Sequence, residues 1–433
     1  MKMPARPRPV GSTSAQAQPA REETLHPPGL GPRLGPRPLA LHLANATGAW
    51  MSSRAALPFL KSGSLPWRPE LALQGAAFQL SLGLAKSEDF SAALDAELTQ
   101  RNVRLLEGIE LYRHHAYRRA LAEPPVLWKD GTTRLLDYGP SNGVPVLVVP
   151  SLINRAYILD LAEGQSLLRY LAGVGLRPLL LDWGAPGAAE RNFDLTDYIS
   201  LRLEPAAAAA AKVAGEAPIV MGYCMGGLLA LALAARRPQH VRSLALLATP
   251  WRFHADRAAH ARLLGMLAAP MTEAYAALGE LPVDVLQGLF AAQDPLLVMR
   301  KFTRFAAMDQ DGPAARSFVA LEDWLNDGVP LSLPVARECL ADWYGDDLPG
   351  RGRWMVGGVP IRPHSIEIPS LIVVPAQDRI VPPATAAVLV DELPMAERLT
   401  PPLGHIGMIV AREAPTMVWP GLADWLLAHG APA

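Results

Sequence analysis

The chain has 433 residues, of which 50% are hydrophobic and 19% are charged, and this composition excludes a largely disordered protein or a charged coiled coil. Lys and Arg (40) balance Asp and Glu (41), so the chain has no basic surplus for binding nucleic acid. Its two cysteines, Cys224 and Cys339, cannot form a disulfide framework, which indicates a reducing compartment such as the cytoplasm. The longest apolar runs are shorter than the ~18 residues of a spanning helix, so we expect no transmembrane segment.

The first part of the chain divides into two segments. Residues 1–38 hold nine prolines and six Lys or Arg, a composition that predicts a disordered tail because it buries too little apolar area. Residues 39–123 regain apolar side chains, and we expect a helical region there. Within this region, apolar residues recur at intervals of three, four and seven positions over Ser91–Arg119, a spacing that places them on one face of a helix. We therefore predict an amphipathic helix there.

After residue 124, short apolar runs alternate with helical stretches, which predicts a mostly parallel central sheet with helices on both faces. The predicted strands are Val144–Val149, Pro178–Leu181, Ile219–Met221, Ser243–Leu247 and Leu371–Val374, and the predicted helices are Leu161–Ala172, Thr196–Ala214 and Met225–Ala235. Residues 251–369 interrupt the strand pattern for too long to be a connecting loop, so we expect an inserted helical cap. The core then consists of residues 124–250 and 370–433.

A glycine-rich turn lies between one predicted strand and the helix that follows it. Cys224 is flanked there by Gly222 and Gly226 at positions two before and two after it, the arrangement of a nucleophile elbow. A helix that begins at Met225 directs free N–H groups toward the sulfur, which favours a thiolate and stabilises an oxyanion. A buried cysteine in a structural turn is the alternative interpretation of this motif alone.

Two further residues give the turn a chemical context. Asp378 follows the strand Leu371–Val374, and His405 lies 27 residues later. Each has a structural alternative, as a helix cap or as a histidine held in a turn. Together, the order nucleophile, acid and histidine predicts the α/β-hydrolase fold, whose oxyanion hole would be completed by a backbone N–H of Leu152 or Ile153 after the first long strand.

Other reactive residues lack such a context. Cys339 lies in an apolar helical stretch of the cap, without an elbow or a nearby histidine, and is predicted to be a packing residue. The remaining histidines show no metal-ligand spacing, and no phosphate-binding glycine loop is present. We therefore predict no metal and no cofactor.

The assembled motifs resemble those of the polyhydroxyalkanoate synthases, and most closely the short synthases that work with a separate helper subunit. The similarity covers about residues 110 to 430 and is carried by residues 112–119, 125–138, 150–161, 182–184, 222–227 and 322–328, and by the Asp378 and His405 motifs. The resemblance implies an (R)-3-hydroxyacyl-CoA substrate, Cys224 as the acyl carrier and His405 as its general base. It also implies that Asp378 helps to activate the attacking 3-hydroxyl, that a helper subunit or a second copy is a partner, and that the enzyme contacts the growing polyester or granule surface.

Two other functions remain compatible with the sequence. A thioesterase, an esterase or an intracellular polyester depolymerase would use the same three side chains and deacylate with water. A non-catalytic granule-binding protein would retain the fold with a broken triad, whereas Cys224, Asp378 and His405 are all present here. Because a cysteine thioester can exchange reversibly with a CoA thioester, the nucleophile favours acyl transfer. We also expect the cap to cover Cys224 and to move when substrate enters.

Overall fold

The computed structural model describes residues 32–430, which form a large sheet with helices packed on it. The strands in this part of the chain are β1 Val126–Asp130, β2 Thr133–Asp137, β3 Val144–Val149, β4 Asp160–Ala162, β5 Gln165–Ser166, β6 Leu176–Asp182, β7 Ile219–Tyr223, β8 Leu244–Leu247, β9 Glu280–Leu281, β10 Leu331–Ser332, β11 Met355–Val356, β12 Val359–Pro360, β13 Ser370–Val373 and β14 Ala396–Leu399.

The central sheet has eight strands in the order β1-β2-β6-β3-β7-β8-β13-β14. From β6 to β14 all neighbours are parallel, whereas β2 pairs antiparallel with both β6 and β1. The register places Val149 opposite Gly222 and Tyr223 opposite Leu247. The carboxyl ends of β3, β7 and β8 therefore meet at one edge, where active sites of parallel sheets form.

All five predicted strands are confirmed, and the bounds of β3 are those predicted. The prediction omits β1, β2 and β14. These lie at the two sides of the sheet, and β14 reads Ala-Glu-Arg-Leu with an exposed centre, so it lacks the continuous apolar pattern of a strand covered on both faces.

Helices cover the central sheet, and helices also form the segment before β1 and most of the segment between β8 and β13. The α-helices are α1 Leu39–Ala55, α2 Leu57–Ser62, α3 Ala72–Leu84, α4 Ser87–His114, α5 Leu167–Gly173, α6 Leu195–Tyr198, α7 Glu204–Ala214, α8 Met225–Arg236, α9 Ala258–Met266, α10 Ala268–Ala274, α11 Val283–Ala291, α12 Leu297–Ala306, α13 Pro313–Asn326, α14 Leu333–Arg337, α15 Pro383–Glu392, α16 Gly407–Val410, α17 Ala414–Met417 and α18 Trp419–Ala428. Two π-helical segments, Ile199–Leu203 and Glu338–Gly345, and short 3₁₀ turns complete the described helices.

The helix predictions are confirmed for α8 and, with shifted ends, for α4. The predicted helix over Thr196–Ala214 is continuous but contains the π-helical segment between α6 and α7. The predicted helix over Leu161–Ala172 is wrong in its first part, where β4 and β5 form a hairpin. Gly164 has φ +74° in this hairpin, a conformation that glycine adopts without strain.

Alternate residues of the strands build two buried layers, one on each face of the sheet. Leu147 and Leu181 face the layer that contains α8, whereas Val146, Val148 and Leu180 face the layer that contains α18. Both faces are thus covered, as the continuous apolar strands predict.

The segment between β8 and β13 carries helices α9–α14 and the π-helical segment Glu338–Gly345. Its helix α12 packs against α4 of the N-terminal region, where Leu105, Ile109 and Tyr112 meet Phe302 and Phe305. The Tyr112 and Phe302 rings are 5.6 Å apart. The N-terminal helices therefore pack on the inserted segment. The predicted domain boundaries themselves stay predictions.

Ordered packing begins before the predicted boundary at residue 39. Arg33 is only 4% exposed, and its guanidinium donates to the carbonyls of Tyr112, His115 and Tyr117 and to the Asp323 carboxylate of α13. This network of charge-assisted hydrogen bonds packs Arg33 against α4 and α13, within the segment predicted to be a tail. Residues 1–31 of that tail lie outside the described residues.

Candidate active site

Cys224 lies at the turn between β7 and α8, as the elbow motif predicts. Its backbone has φ 55° and ψ −125°, a conformation that is strained for a residue with a Cβ. The Cys224 N–H donates to the Leu247 carbonyl at 2.8 Å, and the Cys224 carbonyl accepts from the Gly227 N–H at 3.0 Å. These two hydrogen bonds fix the strained turn, one to the neighbouring strand β8 and one to the first turn of α8.

The glycines of the turn are required by close backbone approaches. A Cβ at Gly222 would overlap the Gly227 Cα, and a Cβ at Gly226 would overlap the Val149 carbonyl oxygen of β3. A Cβ at Gly227 would overlap the Thr249 side chain. The sequence prediction gives roles to Gly222 and Gly226 but not to Gly227, which packs the start of α8 against the segment after β8.

The structure brings Asp378 and His405 together beside Cys224. The His405 Nδ1 and Asp378 Oδ2 atoms are 2.7 Å apart, and both residues are buried. The second carboxylate oxygen, Asp378 Oδ1, accepts from the N–H groups of Ile380 at 2.9 Å and Val381 at 2.8 Å. Because Nδ1 faces the carboxylate, Nε2 is the ring nitrogen left for the thiol.

The charges of Cys224, His405 and Asp378 affect one another. Burial lowers the pKa of His405, but the Cys224 charge and hydrogen bonds to Asp378 and Cys224 outweigh burial and raise the pKa to about 10. The His405 imidazole beside Cys224 can accept a proton from the thiol and return it to a leaving group. The three side chains can therefore act as a nucleophile, a proton carrier and an orienting anion.

Tyr223 is a site residue that the sequence analysis does not identify. Its hydroxyl donates to the His405 backbone carbonyl at 3.2 Å, and the two rings lie 5.2 Å apart. The side chain is buried, and burial raises the pKa of its hydroxyl well above the usual value. Its place between the elbow glycine and the nucleophile is the only sequence signal for this role.

The predicted oxyanion residues lie on both sides of the elbow. Met225 is the first residue of α8, and Leu152 shares its buried cluster. The Ile153 N–H donates to the Ser151 hydroxyl at 3.0 Å, whereas the Leu152 N–H has no hydrogen-bond acceptor among residues 32–430. Of the two predicted amides in this loop, Leu152 is therefore the one available to a ligand.

The inserted segment contributes a tyrosine near the nucleophile. Burial, with Cys224 and Cys339 nearby, raises the pKa of the Tyr344 hydroxyl. Tyr344 belongs to the π-helical segment Glu338–Gly345, a kind of irregularity that is frequent at functional sites. Cys339 in the same segment is buried and packs in the core cluster of α8, and burial raises the pKa of its thiol.

Comparison with known proteins identifies the family of this chain. The profile of the alpha/beta hydrolase fold matches residues 144–411. The poly(3-hydroxyalkanoate) polymerase subunit PhaC of Synechocystis is 30% identical over 292 residues, which cover 65% of this chain and 77% of that protein. The chain belongs to the poly(3-hydroxyalkanoate) polymerase family.

Other polymerase subunits of the same name support this assignment. The Allochromatium vinosum protein is 28% identical over 65% of this chain and 80% of its own length. The Haloferax mediterranei protein is 29% identical over 69% of this chain, and the matched region spans 63% of the Haloferax protein. The resemblance inferred from the motifs and the predicted fold are thus both confirmed.

The described part of this polymerase-family chain contains no group of three or more His, Cys, Asp or Glu residues arranged to hold a metal ion. None of the helices within residues 32–430 is both long and apolar enough to cross a membrane.

Proposed function

We propose that this chain is an acyltransferase that polymerises (R)-3-hydroxyacyl-CoA into polyhydroxyalkanoate and releases CoA. The observation that carries the proposal is a cysteine at the elbow, paired with His405 and Asp378, in a chain whose relatives are named polymerases. Exchange of a CoA thioester for a Cys224 thioester changes little in bond energy, whereas a serine ester would hold the acyl group more firmly. Chain growth needs such a reversible carrier.

In the first step the Cys224 Sγ attacks the thioester carbonyl carbon of the substrate. The bond from that carbon to the CoA sulfur breaks, and the CoA thiolate leaves with a proton from His405. The oxyanion formed between these events is stabilised by the N–H groups of Met225 and Leu152, since preorganised donors in a dry site are most effective there.

In the second step the 3-hydroxyl of the next hydroxyacyl-CoA attacks the Cys224 thioester. An ester bond forms, the thioester bond breaks, and the hydroxyl proton passes to His405 while the sulfur leaves. The product is a longer acyl-CoA, which can transfer its chain back to Cys224 and release CoA. This cycle needs no cofactor.

We assign the direct proton transfer to His405 and a positioning role to Asp378. Both Asp378 oxygens are engaged, one by His405 and the other by two backbone N–H groups, and the side chain is buried. The family resemblance implies that the aspartate helps to activate the 3-hydroxyl, and in this proposal it does so through His405. The engaged carboxylate orients the imidazole and compensates its charge.

We also propose a partner and a place of action. The relatives are named as subunits, which supports a helper subunit or a second copy of the chain as partner. The insoluble product places the working enzyme at a polyester granule surface in the cytoplasm.

The test is CoA release from (R)-3-hydroxybutyryl-CoA by the purified chain, alone and with a companion subunit, with free thiol and insoluble polyester both measured. We expect thiol release with polymer, lost in Cys224→Ala and retained in Cys339→Ala, because the second thiol is a buried packing group in the cluster that contains α8. Thiol release with free hydroxy acid alone would instead indicate a thioesterase or depolymerase, and no release in either condition would favour a non-catalytic protein.

A further inference from the structure

A partly enclosed cleft lies on the α18 face of the sheet, where three parts of the chain meet. Its walls come from the linker after α4, from strands β2 and β6 with the loop after β3, and from helix α13 of the inserted segment. Its buried apolar lining comprises Leu136, Ala156, Leu161, Leu180 and Ala320, and Pro124 adds a partly exposed apolar group. None of the proposed catalytic residues lines it, so the cleft is separate from the site described above.

The cleft and the nucleophile are nevertheless linked through one cluster and one loop. The five buried apolar lining residues belong to the cluster against which Cys224 packs. The loop after β3 carries Leu152 beside the elbow and, a few residues later, Ala156 and Tyr157 in the cleft. The cleft therefore lies on the same apolar cluster as Cys224, and the loop after β3 connects the two sites.

Most charged groups of the cleft are paired, and its lining holds four acidic residues against two arginines. Arg134 pairs with Asp182 at 2.8 Å, and Arg119 pairs with Asp160 at 3.0 Å. Asp323 and Asp327 are paired with Arg33 and Arg155, respectively. The acidic side chains that line the cleft oppose a phosphate-bearing ligand such as CoA, and the paired charges favour an uncharged one.

The cleft also offers hydrogen-bond donors. Arg119 Nη1 and Arg134 Nη1 make no hydrogen bond to any other described residue. The Tyr138 hydroxyl already donates to Asp160 at 3.2 Å and the Tyr157 hydroxyl to Asp327, so Tyr117 is the tyrosine whose hydroxyl remains as a donor, and burial raises its pKa. An aliphatic polyester has no charge and no donors along its chain, and its carbonyls accept hydrogen bonds at every repeat.

We infer that this cleft binds the growing polyester chain after it leaves Cys224. The inference rests on the proposed function, because it takes that reaction's product as the ligand. Apolar walls contact the aliphatic part of each repeat, and the Arg119, Arg134 and Tyr117 donors contact ester carbonyls. A protein that holds its product in this way releases it less often, so the cleft sets the length of the polymer.

The first experiment measures binding without turnover. A linear (R)-3-hydroxybutyrate oligomer with both ends capped is titrated calorimetrically into Cys224→Ala protein, and CoA is titrated separately. Ala320→Trp fills the cleft from α13, and Glu123→Trp obstructs it from an exposed position where a ring does not disturb folding. Ala314→Trp, on the exposed side of α13, and Glu123→Gln are the matched controls.

We expect both blocking variants to weaken oligomer binding by about tenfold, because each removes contacts from a preformed cleft, and to leave CoA binding unchanged. Unchanged oligomer binding in both variants would overturn the inference, and so would a parallel loss of CoA binding. This experiment does not depend on turnover. If the chain makes no polymer but the blocking variants still weaken oligomer binding, the proposed function is refuted and the inference about the cleft stands.

The second experiment uses the active chain. With Cys224 restored, the blocking variants should keep the burst of CoA release from the first acylation and make shorter polymer than their controls. Polymer of normal length from both blocking variants would overturn the inference even where the polymerase activity itself is established.

Discussion

The Tyr223 hydroxyl donates to the backbone carbonyl of His405 at 3.2 Å, so the residue before the nucleophile holds the proposed general base. Asp378 holds the ring of the same histidine from Nδ1. The imidazole is therefore fixed at two points, once through its backbone and once through its side chain. This arrangement restricts the direction of Nε2 toward Cys224.

Loss of the Tyr223 hydroxyl should reduce turnover without unfolding the protein. Tyr223→Phe keeps the ring contact and removes a hydrogen bond worth about 1 kcal/mol, so we expect kcat to fall about fivefold. KM should stay near its normal value because the phenol has no role in substrate binding. Tyr198→Phe is the control, because Tyr198 is also buried and its hydroxyl makes no side-chain hydrogen bond within residues 32–430. Equal kcat in Tyr223→Phe and wild type would show that the Tyr223 hydroxyl does not position His405.

Asp378→Asn tests the coupling of the buried charges. The asparagine can still accept from the N–H groups of Ile380 and Val381, but its NH₂ group faces Nδ1 and favours the wrong tautomer. We expect kcat to fall by about 10²-fold or more, and the NMR titration midpoint of His405 to fall from about 10 because an anion that stabilises imidazolium is lost. An unchanged midpoint would show that Asp378 does not control the charge of His405.

The elbow glycines predict a stability difference between two substitutions of the same type. Gly226→Ala places a methyl group on the Val149 carbonyl and should destabilise the fold by about 3 kcal/mol or more, because backbone must shift. Gly48→Ala, in α1 with nothing near its Cβ, should stabilise by about 0.5–1 kcal/mol. Thermal unfolding of the two variants checks this, and similar melting temperatures would contradict the close approach.

The buried Glu338 carboxyl of the inserted segment should make the stability of the fold depend on pH. Its carboxylate accepts from the Leu195 N–H at 3.0 Å, and burial, with Asp194 and Asp342 nearby, raises its pKa from 4.5 to about 7. The folded state therefore binds more protons than the unfolded state between these values, so stability falls as pH rises through 7.

We expect wild type to lose roughly 2 kcal/mol relative to Glu338→Gln between mild acid and pH 8, after allowance for solvent screening. The difference should appear in thermal melts recorded across that range. Glu273→Gln, at an exposed site on α10, is the control. Parallel stability curves for wild type and Glu338→Gln would show that the Glu338 carboxyl has an ordinary pKa.

The central strands and the elbow could be predicted because their local pattern has one explanation. Val144–Val149 is apolar without alternation, and Gly222, Cys224 and Gly226 occupy a strand-to-helix turn. The placement of Asp378 and His405 also followed from local sequence, since each comes after a strand or in a short glycine turn. These features depend on residues close together in the chain.

The remaining features depend on contacts between distant residues. The hydrogen bond from Tyr223 to His405 spans 182 positions, and no pattern near Tyr223 indicates it. The Ser151 hydroxyl engages the Ile153 amide, which only atomic geometry distinguishes from the Leu152 amide. The hairpin of β4 and β5 likewise depends on packing around Asp160 and not on periodicity.

Arg33 and Asp323 are separated by 290 residues in the chain. During synthesis the buried guanidinium and the apolar face of α4 are made long before their partners on α12 and α13, and chains emerge from the ribosome at about 5–20 residues per second. The faces of α1 and α4 that pack on the inserted segment therefore stay uncovered for roughly tens of seconds, until that segment has been made. These apolar faces are thus open to aggregation while the chain is being made.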